Sequence, residues 1–163
     1  IAAVPAPGEY ALSLTAAGAP SVVALQFDLG VAQADEAMAI VTGFLGSTPA
    51  IQPLPLAVSG RSVVTEAKLR VTHGSPSTPA VDLYLVVDGT DLNDAAVTPA
   101  FGAVPFGADT GILSLAPGVY DVYVTPAGDK GTVAINVPNL TLTGGEVLDV
   151  IARDPATNGS EPV

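Results

Sequence analysis

Two stretches of the chain alternate apolar and polar side chains with a period of two. One runs from Tyr10 to Leu14 and the other from Tyr120 to Val124. This period places alternate side chains on opposite faces of a β-strand, so both stretches are predicted to be strands with one buried face. A Pro-Gly pair stands just before each stretch. Because Pro presets φ and Gly tolerates a positive φ, each strand is predicted to follow a tight turn.

Other alternating or short apolar segments predict further strands, separated by Gly, Pro, Asn and Asp clusters. These segments are residues 22–27, 37–44, 67–73, 81–87, 111–115, 132–137, 140–143 and 147–152. Residues 35–39 are compatible with a short helical turn. Residues 46–60 carry three prolines and are predicted to form an extended edge or a linker, since Pro is confined to the edges of sheets.

The two alternating stretches belong to a longer internal repeat. Residues 6–18 match residues 116–128, and every identity falls at a spacing of 110 residues. The same spacing continues to Glu36, which matches Glu146. One offset held over about thirty residues predicts two related units. We expect the first unit to be represented by its C-terminal half, because the counterpart of residues 66–115 would lie before Ile1.

These patterns predict an all-β chain of tandem antiparallel β-sandwiches, immunoglobulin-like or transthyretin-like, with the first sandwich incomplete. We expect residues 1–45 to be the C-terminal half of a first repeat, residues 46–65 a Pro-rich linker or edge strand, residues 66–154 a complete second repeat and residues 155–163 a flexible tail. Tyr10 and Tyr120 are predicted to be structural, with each hydroxyl bonded to a backbone group at a sandwich corner.

Composition narrows the function classes. The net charge of −11 disfavours nucleic acid and anionic lipid as partners. No apolar run reaches the length of about 18 residues that a membrane span needs, so no membrane insertion is expected. The chain has no Cys and a single His, which excludes disulfides and most metal chemistries. It begins at Ile1 without Met, which we interpret as a processed or trimmed end.

Residues 70–84 carry a sequence that resembles domain-of-unknown-function family 4397, whose usual motif is His-Ala-Ser-Pro-Asp-Ala-Pro-x-Val-Asp-Val-Tyr. The later segments 104–107, 115–120 and 142–146 also match this family's pattern. The resemblance covers residues 66–154 as a whole repeat and residues 1–45 as the back half of another. It implies a secreted or cell-surface β-sandwich and supplies no catalytic residue.

His73 and Ser75 are two residues apart at the end of a predicted strand, where both side chains could share one face. A hydrolase would need a third, orienting carboxylate, and Asp82 is the nearest in the sequence. The alternative is structural: His73 and Ser75 cap the turn by bonding backbone groups. We favour the structural alternative and expect no enzymatic activity.

Asp88, Asp91, Asn93 and Asp94 concentrate oxygen ligands within seven residues. Calcium prefers such clusters on loops, so these four residues are candidate calcium ligands, although their spacing fits no EF-hand. The alternative is a solvated, turn-forming acidic loop. No other cofactor is expected.

Exposed aromatic side chains are the usual platform for sugars. Tyr123 lies opposite in phase to its apolar neighbours, and Phe101 and Phe106 fall in a loop-like stretch. These three residues are candidates for contact with a polysaccharide. The absence of Trp weighs against that function.

The sequence thus favours a non-enzymatic structural or adhesion module, extracellular or on the surface of the cell envelope. A sandwich without its first strands exposes open sheet edges. We expect other proteins or copies of the chain to complete it by strand exchange, unless residues 46–65 fold back to close it. The alternative is a carbohydrate- or calcium-binding accessory module of a larger extracellular protein.

Overall fold

The computed structural model describes residues 6–32, 37–57 and 61–155. These residues form eleven β-strands and no helix, which confirms the predicted all-β class. Within the same ranges no helix is long and apolar enough to cross a bilayer. The predicted tail, residues 155–163, lies outside the described residues apart from Pro155.

The chain divides into two compact units, Ile1–Gly60 and Arg61–Val163, here called unit 1 and unit 2. The strands of unit 1 are β1 (Gly8–Ala16), β2 (Ala19–Val31), β3 (Ala37–Thr42) and β4 (Gln52–Ala57). The strands of unit 2 are β5 (Ala67–His73), β6 (Val81–Val87), β7 (Phe101–Val104), β8 (Leu113–Leu115), β9 (Gly118–Pro126), β10 (Ile135–Leu142) and β11 (Val147–Ala152).

Unit 1 consists of two antiparallel hairpins, β1 with β2 and β3 with β4. Ala37 and the two residues that follow it belong to β3, so the helical turn predicted there is wrong for them. The rest of that prediction, residues 35 and 36, lies outside the described residues. Within the Pro-rich segment, residues 52–57 form strand β4.

Strand β4 pairs with β3 despite containing Pro53 and Pro55, which lie opposite Val41 and Ala39. Pro has no N–H, so these residues cannot donate to the ladder and must occupy its non-hydrogen-bonded positions. Neighbouring residues of a strand direct their polar groups to opposite edges. The outer edge of β4 therefore lacks the donors of both prolines, and it is poorly suited to pairing with a further strand.

Unit 2 is a two-layer sandwich. One sheet has the strand order β10-β9-β6-β7 and the other has the order β11-β5-β8. The buried core joins apolar side chains of β5 to those of the facing strands β6 and β9, as expected for two sheets packed face to face. Its members are Leu69, Val71, Val81, Leu83, Val122 and Val124.

Strands β5 and β11 run parallel, with His73 opposite Ala152, whereas the sequence predicted antiparallel sheets throughout. The two strands are the first and the last of unit 2. Because no hairpin joins them, nothing in the local connection forces them to be antiparallel. The remaining strand pairs of the unit are antiparallel, as predicted.

Strand β10 unites two segments that were predicted as separate strands. Its register with β9 shifts between Val137 and Leu140, and Asn139 has a φ of 57°. The Pro138-Asn139 pair indicated a break in the sequence. It forms instead a bulge, which places extra residues in one strand while the ladder continues.

The middle of the hairpins β1–β2 and β9–β10 shares one register at the spacing of 110 residues found in the sequence. The equivalent pairs are Leu12–Phe27 with Val122–Val137, and Leu14–Leu25 with Val124–Ile135. The assignment of the two units to a tandem repeat stays a prediction. The matching register nevertheless allows positions in one hairpin to be compared with positions in the other.

The tyrosine that opens each of these hairpins makes the same hydrogen bond. The hydroxyl of Tyr10 donates to the carbonyl of Ala6 at 2.5 Å, and that of Tyr120 donates to the carbonyl of Ala116 at 2.9 Å. Each bond spans the Pro-Gly turn that precedes the strand. The predicted structural role of both tyrosines, with the hydroxyl on a backbone group, is confirmed.

Candidate functional site

The candidate chemistry of unit 2 centres on His73, the last residue of β5. Its side chain is only 3% exposed. The Nε2 atom lies 3.0 Å from the carbonyl oxygen of Pro79, and the ring meets Phe106 edge to face, with 6.3 Å between ring centroids. Because a carbonyl oxygen only accepts, Nε2 carries a proton and donates it to the carbonyl of Pro79. The imidazole thus bonds across the loop that follows β5 and fixes it.

The Nδ1 atom of His73 is buried and has no hydrogen-bond partner among the described residues. A cavity of about 30 Å³ lies beside the ring, and its lining includes Ser75, Thr78 and Ile135. A volume of this size holds one or two water molecules. It is too small for a sugar ring or an organic cofactor.

Asp154 binds the loop that follows β5. The hydroxyls of Ser75 and Ser77 both donate to its Oδ1 atom, and the N–H of Ser77 donates to Oδ2 at 3.2 Å. Burial alone would raise the pKa of Asp154. The hydrogen bonds from the two serines and the nearby His73 outweigh burial, so the pKa lies below the ordinary value of 3.8.

The parallel pairing of β5 with β11 brings Asp154 to this loop. Ala152 lies opposite His73, so two residues further along each strand Asp154 comes beside Ser75. Sequence reasoning missed Asp154 because it expected antiparallel sheets only. The available signal was an Asp directly after the last predicted strand.

The catalytic trio considered from the sequence, His73, Ser75 and Asp82, is not assembled. Ser75 donates to Asp154, and the imidazole bonds the carbonyl of Pro79. A serine nucleophile needs its hydroxyl within hydrogen-bond reach of the histidine that takes its proton. His73 bonds a backbone carbonyl, as the structural alternative predicted. The Ser75 hydroxyl differs from that prediction, because it bonds the side chains of Thr78 and Asp154 rather than a backbone group.

Asp82, the third member considered, is a buried carboxylate of β6 that binds two backbone N–H groups. Its Oδ1 accepts from Ala103 at 2.7 Å, and its Oδ2 accepts from Gly128 at 2.8 Å. Ala103 has a φ of 51°, in the left-handed region that L-residues seldom adopt. The register of β6 with β7 shifts at the same place, between Val81 and Leu83. Asp82 therefore fixes an irregular stretch of the edge strand β7.

Asp121 does the same for the other edge of this sheet. It is buried in β9, and its Oδ1 accepts from the N–H of Asn139 at 2.9 Å, the residue of β10 with a φ of 57°. Among the described residues, Ala103 and Asn139 are the non-glycine residues with positive φ. Each is held by a buried Asp on the adjacent central strand.

The candidate calcium ligands Asp88, Asp91, Asn93 and Asp94 lie exposed after β6. Asp91 accepts from the N–H of Asn93 and Asp94 from that of Ala96, both at 2.9 Å. Bonds to an N–H two residues on are Asx turns. Over the described ranges, no three or more His, Cys, Asp or Glu side chains are grouped so that they could hold a metal ion. Calcium binding by this loop stays a prediction.

The acidic loop packs over the outer face of the four-stranded sheet. Leu92 is buried within it. Lys130 donates from Nζ to the carbonyls of Asp94 and Val97, both at 2.7 Å. The same Nζ lies 5.8 Å from the ring centroid of Tyr84. These contacts cover side chains that would otherwise face solvent.

Tyr123 lies on this outer face, opposite Tyr84, as its phase predicted. Its expected exposure is wrong, because the acidic loop leaves the side chain half-buried. Burial raises the pKa of the Tyr123 hydroxyl above 10.0, and the carboxylates of Asp121, Asp88 and Asp91 raise it further.

Phe101 and Phe106 are also not freely exposed aromatic side chains. Phe101 begins β7 and packs against the core, and Phe106 is half-buried against His73. The alternation of side chains predicts no strand at β7, because four residues are too few for a periodic pattern to stand out. Tyr123, Phe101 and Phe106, the candidates for contact with a polysaccharide, are each half-buried.

Comparison with known proteins adds a family to this description. The family model described as Domain of unknown function (DUF4397) matches residues 67–163. The chain belongs to the DUF4397 family. The match begins with β5 and includes the His73 loop, the buried Asp82 and Asp121, and Asp154. No curated protein and no solved structure matches the chain. The match confirms the resemblance for residues 67–163, and the assignment of residues 1–45 to a second repeat stays a prediction.

Proposed function

We propose that this DUF4397 chain is a non-enzymatic structural or adhesion module of a secreted or cell-surface assembly. The observation that carries the proposal is the use made of the polar side chains of unit 2. Five buried or half-buried polar side chains with reactive or ionisable groups hold backbone or a loop in place. They are His73, Ser75, Asp82, Asp121 and Asp154.

A role in assembly is supported by the different burial of equivalent positions in the two hairpins. Leu12 of β1 is 37% exposed, whereas Val122, at the same position of β9, is 5% exposed. An apolar position that is covered in one hairpin is thus open in the other. Exposed apolar positions on a sheet are suited to contact with another protein.

An extracellular location is supported by composition. Charged residues make up 13% of the chain, with 5 basic against 16 acidic residues. The excess of negative charge disfavours the nucleic acids and anionic inner membrane surface that an intracellular protein meets. The family resemblance described above implies the same location.

The proposal is tested in the cells that produce the protein. Intact cells are treated with a membrane-impermeant crosslinker and with protease, and the chain is followed by antibody. We expect protease to reach the chain on intact cells or in the medium, and crosslinking to place it in complexes larger than a single copy. A chain protected inside the cell, or uncrosslinked at every dose, would overturn the proposal.

A further inference from the structure

The outer edge of β1, the edge away from β2, is unpaired among the described residues. In unit 1 the sheet has the order β1-β2, whereas in unit 2 the equivalent strand β9 pairs with β10 on one side and with β6 on the other. The two hairpins share their register from Leu12 to Leu14, which pair as Val122 to Val124 do. The outer edge of β1 therefore corresponds to the edge of β9 that pairs with β6.

Hydrogen bonds in unit 2 show which residues of β9 direct their N–H and C=O groups toward β6. In β9 the carbonyl of Val124 accepts from Ala134 on the β10 side, while just beyond the strand the N–H of Ala127 donates to Ala80 on the β6 side. Polar groups alternate between edges along a strand, so odd-numbered residues bond β6. At the 110-residue spacing the matching residues of β1 are also odd-numbered, and Ser13 is the central one.

In the second hairpin of unit 1, β3–β4, the strand β4 already pairs with the edge of β3 that corresponds to the β5-facing edge of β11. In unit 2 the carbonyls of Glu146 and Ala152 bond β5, so even-numbered residues of β11 face that strand. In β3, at the same spacing, the even-numbered residues face β4, since Pro53 and Pro55 exclude the odd-numbered pairs. Strand β4 thus pairs with β3 at the edge where, in unit 2, β5 pairs with β11. The outer edge of β4 lacks two N–H donors, because Pro53 and Pro55 have none. The outer edge of β1 is thus an equivalent position that no strand of the described residues occupies.

We propose that the outer edge of β1 binds a partner strand with the chemistry of β6, a deepening that rests on the proposed function. The partner runs antiparallel to β1 and adds a third strand to the β1–β2 sheet by backbone hydrogen bonding. In unit 2 the side chains of Leu83 and Leu85 lie opposite Val124 and Val122. The partner therefore places alternate apolar side chains opposite Leu14 and Leu12.

The turn of the hairpin adds a polar requirement to this pattern. In unit 2 Asp82 accepts from the N–H of Gly128, which has a φ of 79°. The equivalent residue in unit 1 is Gly18, with a φ of 78°. A partner strand with Asp one residue before its first leucine-like position, as in β6, brings a carboxylate to this N–H. The geometry therefore points to an apolar-Asp-apolar pattern rather than to an apolar strand of any sequence.

The test uses the full chain and a fluorescent peptide of residues 80–88, extended by charged residues for solubility. We expect saturable binding by anisotropy to the wild-type chain. The Ser13→Pro variant removes one outward N–H and leaves the bonds to β2 intact, so binding should weaken at least about tenfold. The matched Ser13→Ala variant retains the N–H and should bind as the wild type does.

Peptide variants keep the test independent of the folding of the chain. A peptide with both Leu83→Ser and Leu85→Ser should not bind, and a peptide with Asp82→Asn should bind several-fold more weakly. Absence of binding, equal binding to Ser13→Pro, or exclusion of the peptide because two copies of the chain pair through β1 would each overturn the proposal. Failure of peptide binding would overturn this proposal alone. The chain could still be crosslinked into an extracellular complex through another surface, so the proposed function is tested separately on cells.

Discussion

The carboxylate of Asp82 holds the N–H of Ala103 at 2.7 Å and thereby fixes a left-handed residue in an edge strand. Asp121 and Asn139 repeat the arrangement at the opposite edge of the same sheet. Irregular edges of this kind resist pairing with further strands. In unit 1 the residue equivalent to Asp121 is Ala11, and the register of β1 with β2 runs without a shift from Gly8 to Leu14.

Replacing Asp82 should be among the most destabilising single changes in unit 2. Asp82→Ala removes two hydrogen bonds from backbone N–H groups to a buried carboxylate, at a cost of about 3 kcal/mol in the free energy of unfolding. Asp121→Ala removes one such bond and should cost about half as much. Urea unfolding of both variants measures the difference. Equal losses, or a loss below about 1 kcal/mol for Asp82→Ala, would contradict the two-bond role.

Ala103 provides a complementary test of the same irregular stretch. Gly tolerates positive φ, so Ala103→Gly relieves the backbone strain and should be neutral or stabilising by up to about 1 kcal/mol. Ala103→Val places a β-branched side chain in the left-handed region and should destabilise by about 1–2 kcal/mol. Thermal unfolding of the pair gives the comparison. A destabilising Gly variant would argue that the Ala103 side chain, rather than its backbone, matters.

Asp154 makes stability depend on pH in the acid range. Its pKa is lowered in the folded protein, so the folded state binds fewer protons than the unfolded state around and below pH 3.8. The stabilising contribution is complete above 3.8 and is lost as pH falls through the folded pKa. Asp154→Asn should therefore be less stable than the wild type at neutral pH, and the difference should shrink in acid. A difference that stays constant down to the acid limit would refute this role.

Millimolar calcium should leave the melting temperature unchanged. Asp91 and Asp94 already accept backbone hydrogen bonds within their own turns, and a ligand that binds only the folded state would raise the melting temperature. Differential scanning fluorimetry with calcium and with chelator tests this expectation, with magnesium as the control. A rise specific to calcium, lost in a variant with Asp91→Ala and Asp94→Ala, would favour the alternative calcium-binding function.

Most of the fold could be predicted from the sequence, because most strands and turns are determined by residues that are close in the sequence. Alternation located most of the strands, and the shared spacing located Tyr10 and Tyr120, whose hydroxyl bonds both form. The role of Asp82 could not be predicted, because its partners Ala103 and Gly128 are distant in sequence and depend on strand order. Asp154 reaches Ser75 through a parallel pairing that no local pattern encodes.

The parallel pairing of β5 with β11 also decides how unit 2 responds to tension. The chain enters β5 at Ala67 and leaves β11 at Ala152, at opposite ends of a ladder whose pairs run from Lys68–Val147 to His73–Ala152. A force on the two ends pulls these strands along their length in opposite directions, so the ladder is loaded in shear and its bonds must yield together. An antiparallel pair pulled from one end would open one bond at a time. Single-molecule pulling of unit 2 through its two ends should thus give a high, single rupture force.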